Sequence, residues 1–379
     1  MNERRLAMPA KYHVLSRPVL VLLCASALLA VTACNGNQPE SRTVVKDSGT
    51  RITVMDDHSE SVYTKLQLEG IDRIEGVRAL DWISGDTLVV SRENRSLKPQ
   101  TVEGVMRYPV NLYSHNLADG TQTPLLEGES DYGAALMSPD HKYLFYRQID
   151  EYIGDGYVMN LESGQSVKIS EAPFSSEEGE WVDDQQLIFP DMEGSIWRKD
   201  VNGSGGIILK PGVPYVHEVV QSGEVIYYVT GEDMQLSAYN TGTKETTVLK
   251  KNIVWVIPSP DGSRLALVER NRPGEMVLTL CDTAGNEQSR LAAGQQVFGT
   301  SWSPDGSKLA YSLIPGDSGS AQSGVFITEA ETGEQTPVLA DIEISDRLRW
   351  SPSGNALLAS STVPKEGALS FVAYVIRLS

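Results

Sequence analysis

The chain has 379 residues, enough for two average domains or one large β architecture. It carries 50 Asp and Glu against 32 Lys and Arg, a formal net charge of −18. This charge argues against a nucleic-acid partner, because phosphate binding requires an excess of basic residues on some face. A hydrophobic fraction of 40% excludes wholesale disorder, and three cysteines are too few for a disulfide scaffold.

The N-terminal residues have the pattern of a secretion signal. Four basic residues are followed by an apolar run over residues 19–33, which is short for a membrane-spanning helix. The run ends in Val31-Thr32-Ala33-Cys34, which resembles a bacterial lipobox. The resemblance implies cleavage before Cys34 and attachment of diacylglycerol to its thiol. An ordinary signal peptide or an anchor with a chance cysteine is the alternative.

Polar residues rich in Gly, Ser and Asp follow the lipobox. They predict a tether that lifts a domain off the membrane, with a short strand at Arg51–Met55. We therefore expect a lipoprotein signal peptide over residues 1–33, a lipid-anchored tether over residues 34–61 and a folded domain over residues 62–379. The protein is expected on the extracytoplasmic side of a bacterial membrane. Cys281 would be the remaining thiol, and its apolar strand predicts burial.

A turn motif repeats along the folded domain. Ser-Pro-Asp or Ser-Pro-Ser begins at Ser138, Ser259, Ser303 and Ser351, and a short apolar run follows each copy. Proline presets φ at the second turn position, Asp bonds its own backbone and Gly takes a positive φ, so each copy predicts a hairpin. A tryptophan recurs at one place in the repeat, which favours blade-to-blade packing over ligand stacking. These tryptophans are Trp82, Trp181, Trp302 and Trp350.

Degenerate copies near residues 84, 183 and 222 fill the gaps, so that successive copies are 37 to 54 residues apart. This spacing is typical of a four-stranded propeller blade. The second half of each unit has an apolar strand and a Gly-bearing turn, which predicts an outer hairpin. The sequence thus predicts an all-β fold, a seven-bladed β-propeller of four-stranded antiparallel blades, with six or eight blades as alternatives.

These residues resemble the TolB-like (PD40, WD40-like) β-propeller repeat over roughly residues 62–379. The resemblance implies an interaction platform, but it says little about activity, because propellers host binding, scaffolding and catalysis alike. The last unit lacks an outer strand before the chain ends. We predict that residues 63–68, which belong to no other unit, supply that strand and close the ring.

No catalytic or metal-binding constellation emerges from the sequence. Gly316-Asp317-Ser318-Gly319 resembles a protease nucleophile turn, but no histidine of the folded domain lies in that family's histidine motif. Residues 200–205 imitate the start of an EF-hand loop, but its twelfth position is Pro211. Some TolB-like propellers, oligogalacturonate lyases among them, bind a metal through several histidines, whereas here only His217 lies near the expected channel mouth. We therefore predict no catalytic residue, no cofactor and no metal.

A candidate binding rim is predicted where the chain enters the innermost strands. Aromatic residues mixed with arginine dominate binding hot spots, although packing or solvated loops also explain such residues. Tyr215, His217 and Arg347 are the first choices, because two prolines stiffen the loop before Tyr215. The full rim comprises Arg78, Tyr132, Glu180, Tyr215, His217, Trp255 and Arg347.

Two classes of function remain open. The first is a membrane-anchored scaffold that binds a protein or a cell-envelope glycan and is held to the membrane through its N-terminal lipid. The second is a lyase or hydrolase that uses channel-mouth residues. Clustered titratable residues with perturbed pKa values would favour the enzyme.

Overall fold

The computed structural model describes residues 41–45, 51–55, 66–102, 104–150, 153–175, 179–213, 215–316, 322–365 and 368–379. The chain divides into two units, Met1–Thr64 and Lys65–Ser379. In the first unit, strand β1 (Ser41–Val45) pairs antiparallel with strand β2 (Arg51–Met55). The predicted strand at Arg51–Met55 is therefore present. Cys34 lies outside the described residues, and its lipidation stays a prediction.

The second unit consists of four-stranded antiparallel sheets, and none of its described residues is helical. It begins with β3 (Leu68–Glu75). Blade 1 follows with β4 (Arg78–Ser84), β5 (Thr87–Glu93), a small added hairpin of β6 (Gln100–Val102) and β7 (Val105–Arg107), then β8 (Val110–Asn116) and β9 (Gln122–Leu126). Blade 2 contains β10 (Asp131–Met137), β11 (Tyr143–Asp150), β12 (Ile153–Asn160) and β13 (Ser166–Lys168), and the short β14 (Phe174–Ser175) also pairs with β12.

The next four blades repeat the same four-strand order. Blade 3 contains β15 (Glu180–Trp181), β16 (Gln186–Pro190), β17 (Ile196–Asp200) and β18 (Gly205–Leu209). Blade 4 contains β19 (Val216–Ser222), β20 (Val225–Thr230), β21 (Gln235–Asn240) and β22 (Thr246–Lys250). Blade 5 contains β23 (Ile253–Pro258), β24 (Arg264–Arg272), β25 (Glu275–Asp282) and β26 (Glu287–Gly294). Blade 6 contains β27 (Gln296–Trp302), β28 (Lys308–Ile314), β29 (Gly324–Glu329) and β30 (Gln335–Ala340).

Blade 7 joins the two ends of the propeller chain. It contains β31 (Arg349–Trp350), β32 (Ala356–Lys365) and β33 (Ala368–Leu378), and β3 adds the outermost strand. Closure by the N-terminal side of the domain is confirmed, but the predicted position is wrong. The closing strand is Leu68–Glu75 rather than residues 63–68, and Ile74 lies opposite Ala373 in its register. The prediction began too early in the chain because Leu68–Glu75 shows only a weak alternation of apolar and polar residues.

The seven sheets form a closed ring. The described residues contain seven buried hydrophobic clusters, and each cluster combines side chains from two successive blades. The cluster around Trp82 and Leu358, for example, joins blade 1 to blade 7. Sheets that pack face to face in this way bury both faces of every blade. The count of seven blades is therefore confirmed.

The four recurrent tryptophans link neighbouring blades. The indole N–H of Trp302 donates to the carbonyl of Ile257 in the preceding blade at 3.0 Å, and that of Trp82 donates to the carbonyl of Arg349 at 3.0 Å. Trp181 and Trp350 make the equivalent bonds to Leu136 and Ser301 at 3.2 and 3.3 Å. A buried indole N–H needs such an acceptor, so blade-to-blade packing explains why tryptophan recurs at this position.

The Ser-Pro-Asp turns connect the first and second strands of their blades. In the copy at residue 259, Ser259 Oγ donates to Asp261 at 2.5 Å and accepts the backbone N–H of Arg264 at 3.0 Å. The copies at Ser138 and Ser303 repeat both bonds. The seryl oxygen therefore bonds both the turn and the first residue of the following strand. For this reason the motif marks the start of the second strand in its blade.

Candidate functional site

The central channel is lined by the first strand of each blade. Because successive strands in a blade are antiparallel, these strands all begin at the same end of the ring, which we call the channel face. The connections between second and third strands and those between blades lie at this same end. A cavity of ≈ 190 Å³ opens where the first strands begin. Its charged lining residues are Arg78, Arg147, Glu180, Asp346, Arg347 and Arg349.

Arg347 lies at the centre of the largest charged cluster in this cavity. Its guanidinium donates to Glu180 of blade 3 and, at 2.5 Å, to Glu218 of blade 4. It also lies 5.3 Å from the centre of the Trp255 ring of blade 5, which in turn makes an edge contact with Phe298 of blade 6. Charge-assisted hydrogen bonds and a cation–π contact thus hold one arginine against three blades.

A second ion pair closes the neighbouring part of the wall. Arg78 Nε lies 2.9 and 2.8 Å from the two carboxylate oxygens of Asp346, and its Nη2 also bonds Asp346. The Arg78 guanidinium lies 5.4 Å from the centre of the Phe371 ring. This pair joins blade 1 to the connection that leads into blade 7. Bidentate geometry fixes both side chains, so the wall is held rigidly here.

Backbone bulges in the innermost strands set the direction of some side chains at the channel. Ala134, Glu218 and Gly299 have φ values of 47°, 43° and 68°, and the strand register shifts at each of them. A bulge redirects a side chain at a cost of about 1–3 kcal/mol for a non-glycine residue at positive φ. At Gly299 a Cβ would lie 2.6 Å from Ile344 Cδ1 and 3.1 Å from the carbonyl oxygen of Asp346, which favours glycine there. The bulge at Glu218 buries its carboxylate, which bonds Arg347.

Asp81 is a buried carboxylate behind the cavity wall, and it lies within the electric field of Arg349. The Asp81 carboxylate accepts the backbone N–H groups of Trp82 and Met137, each at 2.8 Å. Burial of the carboxyl raises the pKa of Asp81 above its ordinary 3.8, and the field of Arg349 and the two N–H bonds oppose that rise. Asp81 thereby ties the start of blade 1 to blade 2.

The structure brings together four of the seven predicted rim residues. Arg78, Glu180, Trp255 and Arg347 line the cavity. Tyr132 is half-buried and packs its ring edge-on against Tyr146 at 6.0 Å, away from the cavity lining.

The other two predicted rim residues lie on the channel face but do not line the cavity. Tyr215 is 66% exposed with φ at 62°, and His217 is exposed. Their alternation with buried Val216 and Glu218 turns them outward. Pro214, one of the two prolines invoked for stiffness, lies outside the described residues. Binding by any of the seven stays a prediction.

Several residues of the site were missed by sequence reasoning. These are Asp81, Arg147, Glu218, Phe298, Asp346 and Arg349. One signal was available, since the run Asp346-Arg347-Leu348-Arg349 directly precedes the repeat tryptophan Trp350. Nothing in the sequence indicated Glu218, because its aim depends on the local bulge.

The structure also locates the motifs that imitate catalytic or metal sites. The N–H groups of Asn202 and Ser204 donate to Asp200 at 2.9 Å, so the EF-hand-like segment is the turn between β17 and β18. Ser318 lies outside the described residues. Within the described ranges, no group of three or more His, Cys, Asp or Glu is placed to hold a metal ion. The same ranges contain no helix long and apolar enough to cross a membrane.

No family model matches this chain. Among solved structures, an oligogalacturonate lyase in complex with manganese is similar at TM-score 0.56 and 14% identity, over 90% of this chain and 96% of that one. The β-propeller domain of Swd1 from Myceliophteria thermophila is similar at TM-score 0.54 and 14% identity, over 80% and 98%. TolB from Acinetobacter baumannii reaches TM-score 0.47 at 14% identity, over 77% of this chain and 63% of that one, too low to carry an argument.

At such identities these likenesses show the fold alone. The fold hosts unrelated activities, so none of their functions transfers to this chain. What identifies the architecture is the combination of the Ser-Pro-Asp turns, the tryptophans that follow the blade period and the seven interlocked sheets. In its fold, this chain is a seven-bladed β-propeller of four-stranded antiparallel blades.

Proposed function

We propose that the protein is a lipid-anchored, extracytoplasmic binding platform whose channel face contacts another polypeptide. The observation that carries this proposal is the distribution of exposed apolar side chains. Eleven large apolar residues are exposed in the described part of the chain. Six lie on the channel face: Met106, Ile153, Met192, Val213, Tyr215 and Leu369. The other five lie on outermost strands: Leu68, Ile71, Val167, Ile207 and Val248.

The six channel-face residues come from the connections of blades 1, 2, 3 and 7 and from the connection between blades 3 and 4. Met106 and Leu369 are the most exposed of the six, at 69% and 74%. Methionine and tyrosine are also enriched at protein interfaces. These exposed apolar side chains and the charged cavity lie on the same face, so a polypeptide bound there meets apolar and charged groups together.

The charged cluster of the cavity supports the same proposal. Arg347 is held by Glu180 and Glu218, and Arg78 by Asp346, so the cavity wall is organised before any ligand arrives. A preorganised wall costs less conformational entropy on binding than a mobile one. The likeness to an oligogalacturonate lyase shows the fold alone, and no observation within the described ranges favours a lyase or hydrolase over binding.

The membrane anchor is the part of the proposal that rests on the sequence. The lipobox at Cys34 and the basic leader support lipidation. One acyl chain gives marginal membrane binding, about 10⁴ M⁻¹, so two or more chains are needed for stable attachment. The variant Cys34→Ala should lose the lipid mass and leave the membrane fraction. A variant that fractionates like the native protein with no mass difference would contradict the lipoprotein assignment.

Site-specific photocrosslinking in intact cells tests the binding face. A photoreactive residue at Met106 or Leu369 should give a covalent adduct with another protein. The same residue at Ile207 or Val248, which are exposed on outermost strands, is the matched control and should give none. Adducts with equal yield from both pairs of positions, or no adduct from the first pair, would remove the channel face as the interface.

A further inference from the structure

We propose that the cavity is a receptor for one carboxylate side chain of a polypeptide partner, with the Arg349 guanidinium as the anchor. The inference rests on the proposed function and specifies the chemical group that enters the channel. It follows from comparing the arginines that line the cavity. Arginine matches carboxylate geometry through two parallel N–H bonds.

Three of the four cavity arginines are engaged by the protein itself. Arg78 is held by both oxygens of Asp346. Arg347 is shared between Glu180 and Glu218. Arg147 is 2% exposed, with its guanidinium 5.0 and 5.1 Å from the ring centres of Phe145 and Phe174. These three side chains are therefore bonded or packed within the cavity wall and form part of its structure.

Arg349 differs from the other three. Within the part of the chain that the structure describes, its guanidinium makes no hydrogen bond and no ion pair, although it lines the cavity. Its backbone is fixed, because its carbonyl accepts the indole N–H of Trp82 at 3.0 Å. Arg349 acts on the buried Asp81 carboxyl only through its electric field. The Asp81 carboxylate already accepts two backbone N–H groups. The donors of the Arg349 fork are therefore available to a ligand.

The size and lining of the cavity select the ligand class. The cavity of ≈ 190 Å³ is open to solvent and has room for an Asp or Glu side chain. Leu80, Leu136 and Ile149 supply an apolar wall for the methylene stem. One uncommitted guanidinium balances the single charge of a carboxylate, whereas a dianionic phosphate would need further donors.

A titration with small probes tests the anchor. The full-length protein in detergent micelles is titrated with N-acetyl-glutamate amide, with the corresponding glutamine amide and with inorganic phosphate, and isothermal titration calorimetry measures binding. We expect saturable binding of the glutamate probe and at least tenfold weaker binding of the glutamine probe. Tighter binding of phosphate than of glutamate would overturn the carboxylate assignment.

Variants separate the anchor from the fold. Arg349→Gln should weaken binding of the glutamate probe at least tenfold, and Arg349→Lys should weaken it less because the charge remains without the fork. Arg272→Gln, on the β24–β25 hairpin of the same face, is the control and should bind normally. Unchanged glutamate binding by Arg349→Gln, with a native melting temperature, would overturn the proposal. If Arg349→Gln does not fold, Arg349→Lys with unchanged affinity for both probes overturns it.

The same variants in the photocrosslinking strains distinguish this inference from the proposed function. Loss of the Met106 adduct in Arg349→Gln would support both. An undiminished adduct in Arg349→Gln would leave the binding platform standing and overturn the carboxylate anchor. Glutamate binding that depends on Arg349, without any adduct in the native strain, would support the anchor and overturn the polypeptide platform.

Discussion

Arg347 and Glu218 bond across the channel. Arg347 lies in the connection into blade 7 and Glu218 lies in the first strand of blade 4, three positions away in a ring of seven, and their hydrogen bond measures 2.5 Å. Glu218 is 3% exposed. An ion pair that connects opposite walls resists spreading of the blades, because the two walls cannot separate without exposing the buried carboxylate.

The first prediction follows from this pair. Arg347→Ala should lower the free energy of unfolding by about 3 kcal/mol, the low end for a broken buried ion pair, because Arg347 is itself partly exposed. Chemical denaturation measures the change. Glu218→Gln in the same background should recover part of it by removing the buried charge. Lys251→Ala, which breaks an exposed pair with Asp233, is the control and should cost less than 1 kcal/mol. Equal costs for the two alanine variants would refute the cross-channel role.

The second prediction concerns Asp81. Its pKa is raised above the ordinary 3.8 by burial, so the folded state holds the proton more tightly than the unfolded chain does. Stability from this group is therefore fully present below pH 3.8 and falls as the pH rises toward the raised value. Asp81→Asn should cost more stability at pH 4 than at pH 7, as measured by denaturation at both pH values. A cost that grows with pH would show that the carboxylate is stabilised in its charged form.

The third prediction has the opposite sign and concerns the turn at Asp261. The hydrogen bonds from Ser259, and then from Ser263, lower the pKa of Asp261 from 3.8 to about 2. This contribution to stability is present above pH 3.8 and is lost as the pH falls toward 2. Asp261→Asn should lower the melting temperature at pH 7, and the difference from the native protein should shrink toward pH 2. A difference that stays constant with pH would assign the effect to turn geometry alone.

The fourth prediction concerns closure of the ring by β3. A chain that begins at Leu66 should melt like the full-length protein, because it keeps every residue of blade 7. A chain that begins at Gly76 lacks β3 and should melt roughly 10 °C lower, since each kcal/mol lost shifts the melting temperature by a few degrees in a domain of this size. Indistinguishable melting of the two chains would contradict the closure.

The fifth prediction concerns Cys281. The residue is fully buried in the cluster between blades 4 and 5, and burial raises the pKa of its thiol to about 11. The thiolate is the reactive form, so thiol reagents should label Cys281 slowly in the folded protein and at the normal rate in denaturant. Fast labelling of the folded protein at neutral pH would mean that the blade interface opens readily.

The repeat made most of the fold predictable. Each Ser-Pro-Asp turn marks a first-to-second-strand hairpin because Ser259 and its equivalents bond both the turn and the next strand. The tryptophans mark blade contacts because each indole reaches a carbonyl one blade away. The closing strand was misplaced because Leu68–Glu75 is an outermost strand with a mostly exposed surface, which leaves a weak alternating pattern.

The site was less predictable than the fold. Arg78, Glu180, Trp255 and Arg347 were found because they lie at the start of innermost strands, a position that the repeat fixes. Glu218 was missed because a bulge at positive φ sets the direction of its side chain. Glutamate is not a residue type that marks such a bulge in a sequence. Tyr132, Tyr215 and His217 occupy similar sequence positions but point elsewhere, because strand alternation separates neighbours onto opposite sides.

Gln67 and Ser379 pair through two backbone hydrogen bonds, and this pairing determines how the chain of the propeller can be reconnected. The N–H of Gln67 donates to the carbonyl of Ser379 at 2.8 Å, and the N–H of Ser379 donates back to Gln67 at 3.0 Å. The two ends of the propeller are thus adjacent, so a short linker can join them without bending a strand. The ring then has no natural beginning, and a circular permutant opened at an exposed outer turn such as Thr241-Gly242 keeps every blade intact.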